Sequence, residues 1–210
     1  MKLTELELDA LRETANIGAG NAATNFSRLI DKRVRMSVTS AHLISLGDVA
    51  EALGGAEQVV TGISFQIQGS ALGSFVLLFA QEEAEQLAFQ LLGRGIEGAL
   101  RRDELAESAL KELANVFVGG YFTAISQLVN LRFLHSVPAM ATDMLQAVLD
   151  ETLIHLASES EYALVLETKF EVERQTMHSY ALFVPDSEGL HAVLDAFHLE
   201  TKKRKCERKK

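Results

Sequence analysis

One polar pattern occurs twice in this chain, 99 positions apart, and it constrains the fold more than any other feature. Asp9, Glu13 and Asn16 lie in LDALRETANIGAG; Ser108, Glu112 and Asn115 lie in ESALKELANVFVGG. Each copy reads Asp or Ser, three residues, Glu, two residues, Asn. The similarity runs on at the same offset. Asn16-Ile17 matches Asn115-Val116, Gly20 matches Gly119, Ser27 matches Ser126 and Leu29 matches Leu128. Further along, SFVLLFA (74–80) resembles SYALFVP (179–185) at an offset of 105, and a helical pattern follows each. Similarity at a fixed offset over this length indicates duplication of one supersecondary unit. Two copies are too few for a solenoid, so a pseudo-twofold domain is the expected outcome.

Each half reads as a long helix, then strands, then a shorter helix. Thr4 to Ile30 and Asp103 to Val129 carry helical apolar spacing. Strands are expected at Lys32 to Val38, Val59 to Ile67 and Ser74 to Phe79, and again at Phe133 to Val137, Tyr162 to Val172 and Met177 to Val184. The continuously apolar Ser74 to Phe79 suits a central strand covered on both faces. Met140 to Leu156 reads as a helix inserted in the second half. The expected class is α+β: a pseudo-twofold six-stranded sheet, with two long motif-bearing helices and shorter helices packed on it. One domain is expected over 1–200, with halves at about 4–100 and 103–199, followed by a basic tail at 201–210.

Composition narrows the function. The net charge of −9 conceals a tail, TKKRKCERKK, of about +6 on a body of about −15. An acidic body argues against nucleic acid as the partner. The tail has no apolar periodicity and is expected to be disordered. The N-terminal stretch carries acids at once and lacks the apolar core of a signal peptide. The longest apolar run is too short to span a bilayer. The expectation is a cytoplasmic protein that uses no membrane. Cys206 is the single cysteine, and the six histidines show no metal-ligand spacing.

On a helix, positions i, i+4 and i+7 fall within an arc of about 60°. Leu11, Ala15, Gly18, Ala22 and Leu29 lie opposite the first triplet; Leu110, Leu113, Phe117, Tyr121, Ala124 and Leu128 lie opposite the second. The triplets are expected to face outward. Asn costs roughly 0.5 kcal/mol or more against Ala in mid-helix, so two at equivalent positions, each three residues after Glu, ask for a reason. Asn has no usable pKa and is neither base nor nucleophile. Its amide can orient a water or donate to an oxyanion. Glu can accept a proton or pair with a cation. With no His or Cys to complete a nucleophilic triad, the chemistry favours a macromolecular substrate that brings its own reactive group. Gly18-Ala19-Gly20 is not a nucleotide loop, because it sits inside a helical pattern with no strand before it; it reads as close helix packing.

The doubled pattern resembles the CheC/CheX/FliY phosphatases of bacterial chemotaxis, and CheC above the others. Their signature is Asp or Ser, three residues, Glu, two residues, Asn, then twenty-two residues and Pro. The second copy fits throughout: Ser108, Glu112, Asn115 and Pro138. The first fits at Asp9, Glu13 and Asn16, with Thr39 at the proline position. NIGAGNAAT (16–24) and PAMATDM (138–144) are also similar to CheC, and the resemblance covers roughly residues 5 to 198.

The resemblance implies a phosphatase for phosphorylated CheY, a response regulator carrying an aspartyl phosphate. Asn16 and Asn115 would position the attacking water, and Glu13 and Glu112 would pair with a lysine of the regulator. Asp9, Ser108 and Pro138 would support the site. Phosphoryl transfer needs positioning more than protein nucleophiles. The Mg²⁺ would belong to CheY, so no cofactor or metal ligand of the chain's own is expected. Two usable sites are expected, with Asn115 carrying the complete signature, and one chain supplying both sites suits a monomer. The alternative is an adaptor that binds CheD or a flagellar-switch component. A switch protein of the FliY type would carry a further C-terminal domain, and a FliM-like binding domain would not be expected to keep both Glu-Asn pairs.

Overall fold

A computed structural model describes residues 4–95, 100, 103–153, 160–193 and 195. The basic tail at 201–210 and the end of the expected helix at 154–156 lie outside the described residues. Helix α1 spans Glu5–Ile30 and is followed by strand β1, Val34–Ser45. A 3-10 turn at Leu46–Asp48 and a short α2, Val49–Ala52, lead to β2, Val59–Gly69, and β3, Gly73–Ala80. Then come α3, Gln81–Leu92, and the second long helix α4, Glu104–Val129. The remainder is β4, Phe133–His135; β5, Ala139–Met144; α5, Leu145–Leu153; β6, Tyr162–Val172; and β7, Gln175–Pro185, with a helical stretch at 187–193.

The repeat is visible in the ends of the long helices. Both have 26 residues, and both finish on a left-handed residue, Asp31 at φ 51° and Asn130 at φ 55°. Asp and Asn tolerate that conformation better than most non-glycine residues. Thr4 caps α1 in a reciprocal box with Glu7. Asp103 caps α4 by accepting from the Ala106 N–H, and its buried carboxylate is gripped by Arg94 at 2.8 and 2.9 Å. That fork ties the start of α4 to the end of α3. Gly93 closes α3 at φ 67°, and its N–H reaches the Phe89 carbonyl.

The strands form one antiparallel sheet in the order β1-β6-β7-β3-β2-β4, with β5 also on β2. A pseudo-twofold axis thus lies between β3 and β7, which pair from Gly73↔Pro185 to Leu78↔Tyr180, and the outer strand of each half lies beyond the inner pair of the other half. The sheet is covered on both faces. On β3, Phe75, Leu77 and Phe79 point to the larger core beneath α1, α3 and α4. Val76 and Leu78 point to a smaller core beneath α2 and α5. This two-sided burial is why the strand is apolar throughout.

Two expectations need correction. Residues 140–144 are strand rather than helix, because Ala139–Met144 pair with β2 from Ser64 to Val59. Pairing overrides the helical preference of Ala and Met; the helix begins only at Leu145. Nor is this segment an insertion. At an offset of 99, β4, β5 and α5 stand against β1, the 3-10 turn and α2. The offset rises to 103 only where Val59 opens β2 and Tyr162 opens β6. The sheet has seven strands because the outer position of the second half is broken at Ser136–Pro138.

Helices α1 and α4 pack against each other on one face of the sheet. The crossing is close at Gly18 and Gly120. A Cβ on Gly18 would stand 2.8 Å from the Tyr121 Cα, and one on Gly120 would stand 3.0 Å from the Gly18 carbonyl oxygen. Gly18 therefore fits the expectation of close helix packing. Gly20 does not: among the described residues nothing lies within 4 Å of where its Cβ would be. Behind α4, Phe117 stacks on Phe170 at 5.4 Å and meets Tyr121 at 4.5 Å. Burial raises the Tyr121 phenol above its ordinary pKa, while its hydrogen bond to Thr168 acts the other way.

Candidate functional site

Both triplets sit on the outer faces of the long helices. Asp9, Glu13, Ser108 and Glu112 are exposed; Asn16 and Asn115 are half-buried where helix meets strand. The expected backing residues Leu11, Ala15 and Ala22 are buried, as are Leu110, Leu113, Phe117, Tyr121 and Ala124. The side chains of Leu29 and Leu128 lie outside the described residues. Each motif is thus held on a rigid rod whose far side is core.

The two asparagines have different surroundings. The Asn16 Oδ1 accepts from the Val38 N–H at 2.8 Å. Its Nδ2 donates to the Val38 carbonyl at 3.2 Å and to the Arg12 carbonyl at 3.0 Å. Both ends of the amide are therefore clasped to β1. Val38 borders a register shift against β6, between Val38 and Ser40. A bulge of this kind turns backbone groups away from the partner strand, and here they meet Asn16. Thr39, at the position of the missing proline, is exposed and donates its hydroxyl to the Glu167 carbonyl at 3.3 Å.

At the second copy, Val137 occupies the position equivalent to Val38, and it is 86% exposed whereas Val38 is 4% exposed. Its carbonyl accepts from the Ser136 Oγ at 2.8 Å. Ser136 is itself held on β2: its N–H donates to the Gln66 carbonyl at 2.9 Å, and its Oγ accepts from the Gln66 N–H at 3.0 Å. Pro138 has no N–H to contribute to a ladder, and the strand stops between β4 and β5. The chain here leaves no clasp on the amide. The Asn115 side chain makes no hydrogen bond among the described residues, and the Glu112 side chain makes neither hydrogen bond nor ion pair among them.

Asn115 and Glu112 open onto a groove of about 460 Å³, lined also by Ser108, Lys111, His135, Ser136, Val137 and Pro138. All four members of the second motif thus meet at one place. Lys111, His135 and Ser136 are additional lining residues that reading the motif alone passes over. Lys111 pairs with Glu107 one turn back. Its counterpart Arg12, at the same offset, pairs with Asp9 at 3.0 Å. A basic residue just before each Glu was therefore present in the sequence, twice. His135 stands edge-on to Phe65 at 5.5 Å and fixes one wall. Chemically, the groove offers one unspent amide, one unspent carboxylate, a hydroxyl and an ammonium group on a wide, open surface.

The sequence matches the CheC-like family over residues 6–38 and 105–141, the segments that carry the two motifs. It is 32% identical over 199 residues to the CheY-P phosphatase CheC of Bacillus subtilis, across 92% of this chain and 95% of that protein. The chain belongs to the CheC family. Within that family it is 24% identical to a putative CheY-P phosphatase, CheC1, of Halobacterium salinarum, over 90% of this chain and 95% of the relative. The structure superposes on FliY of Thermotoga maritima with a TM-score of 0.76 at 20% identity, covering 95% of this chain and all of that one. A FliM middle domain from H. pylori shares the fold with a TM-score of 0.61 at 14% identity, covering 92% and 99% of the two chains. The CheC fold is thus common to proteins of different names, and fold by itself assigns no activity. Among the described residues no helix is long and apolar enough to cross a membrane.

Proposed function

We propose that this CheC-family protein is a phosphatase that accelerates hydrolysis of the aspartyl phosphate of phosphorylated CheY. The observation that carries the reading is the Asn115 amide: half-buried on a rigid helix, unspent among the described residues, and set beside Glu112 in an open groove. An amide so placed orients a water toward an electrophile that the partner presents. Glu112 would pair with a lysine of the regulator, and Ser108 and Pro138 would shape the groove. The acyl phosphate and its Mg²⁺ would be the regulator's, so this chain contributes position and hydrogen bonds. The names of its relatives in two organisms support the same substrate.

The Asn115 site is the principal one in this reading. Asn16 spends its amide on Val38 and Arg12, so use of the first site requires the clasp to open. The test is the decay of phosphorylated CheY, alone and with a substoichiometric amount of this protein. The expected result is faster loss of phosphate over many turnovers. Unchanged decay, or loss that stops at one equivalent, would sink the phosphatase reading.

A further inference from the structure

Helices α1 and α4 contain four glycines, and two of them serve no close packing among the described residues. Gly18 and Gly120 are consumed by the helix crossing. Among the described residues Gly20 has nothing within 4 Å of a Cβ, and Gly119 has only the His135 Nε2 at 3.9 Å, an ordinary contact. Glycine in a helix interior is unfavourable against alanine, and the fold gives no reason for it at either place. The two are equivalent at the 99-residue offset, and each follows its Asn by four residues.

The wheel places them closely. At about 100° per residue, Leu105, Ser108, Glu112, Asn115 and Gly119 fall within an arc of about 80°, with Gly119 between Glu112 and Asn115. Leu6, Asp9, Glu13, Asn16 and Gly20 do the same on α1. A second observation marks the other end of each stripe. Leu6 is 43% exposed and Leu105 is 57% exposed, again at equivalent positions. From Leu105 to Gly119 is about 20 Å of helix, a length suited to one side of a standard protein interface.

We infer that each stripe is the footprint of one phosphorylated regulator, whose main chain closes on the helix at Gly119 or Gly20 while Leu105 or Leu6 anchors the far end. This rests on the phosphatase reading and gives its docking geometry. The occupant follows from the chemistry between the ends: a carboxylate for a cationic side chain, and an amide for the acyl phosphate's water, offered directly by Asn115 and by Asn16 only once its clasp on Val38 opens. An Asn side chain is short. For its amide to enter a recessed site, the helix backbone must come down onto the partner's surface. A Cβ on the same face, roughly 1.5 Å of added carbon, would hold the helix away. Glycine is the residue that permits such an approach.

The experiment uses the full chain and a regulator loaded with beryllium trifluoride, an unhydrolysable stand-in for the aspartyl phosphate. Wild type is expected to bind two regulators per chain. Gly119→Ala and Gly20→Ala should each weaken one of the two sites about tenfold. Each should also raise the thermal midpoint, by about 2 °C, since no atom blocks the new methyl group. Leu105→Ala should weaken the second site and leave the midpoint unchanged. Opposite signs in binding and stability separate a docking role from a structural one. Alanine variants that bind with wild-type affinity and stoichiometry, in a protein that still accelerates phosphate loss, would overturn the inference alone. A fall in midpoint would do so too, because the glycine would then serve the fold. One regulator per wild-type chain would overturn it for the α1 stripe. A wild type that neither binds nor accelerates would bring down the phosphatase reading with it.

Discussion

Truncating Asn16 to Ala removes three hydrogen bonds and leaves the Val38 N–H without its partner. Half-buried backbone donors left unpaired are costly, so Asn16→Ala should lose about 1–2 kcal/mol of stability in chemical denaturation. Asn115→Ala removes no bond within the described chain; Ala is also the better helix former, so its midpoint should hold or rise. The sequence makes these two residues look alike, because it shows the motif and not the backbone beside it. Its one sign of difference is Thr39 against Pro138. The physical content of that difference is a strand that runs on through Thr39 and a strand that stops at Ser136. Where it runs on, its bulge meets the amide; where it stops, Val137 turns out to solvent and the amide is left unspent among the described residues.

At the scale of elements, the two long helices were plain in the sequence and β5 was not. Thr4 and Asp103 as caps, 26-residue apolar stripes and the equivalent stops at Asp31 and Asn130 are local signals. Ala139–Met144 is strand only because β2 lies beside it, which no local pattern announces. Gly18-Ala19-Gly20 likewise divides only in three dimensions, one glycine serving the α1–α4 crossing and the other facing outward. That division is testable. Gly18→Ala forces a methyl group to within 2.8 Å of the Tyr121 Cα on the opposite backbone, so the helices must separate. The expected cost is about 1–3 kcal/mol, read as a lowered denaturation midpoint, whereas Gly20→Ala two residues on should show none. Equal effects at the two positions would mean that the crossing is not where α1 is fixed.

Over the whole molecule, duplication explains both the architecture and its departure from symmetry. The central strands β3 and β7 keep the twofold relation and pair with each other. The outer positions have diverged, β1 into a long strand on β6 and its counterpart into β4 and β5 on β2. Core positions are alike in the two halves because both fill one two-sided sheet. The edge is free to change, and the motif helices lie over it. In the proposed reaction Asn115 carries the chemistry while Asn16 is clasped. The most direct test is the rate of phosphate loss from phosphorylated CheY with Asn115→Ala and with Asn16→Ala, each shown folded by its midpoint. The expected loss is about 100-fold for Asn115→Ala, the order seen when a positioned hydrogen-bonding group is removed, with a much smaller change for Asn16→Ala. Wild-type rates from Asn115→Ala, or a collapse caused by Asn16→Ala alone, would contradict that proposal.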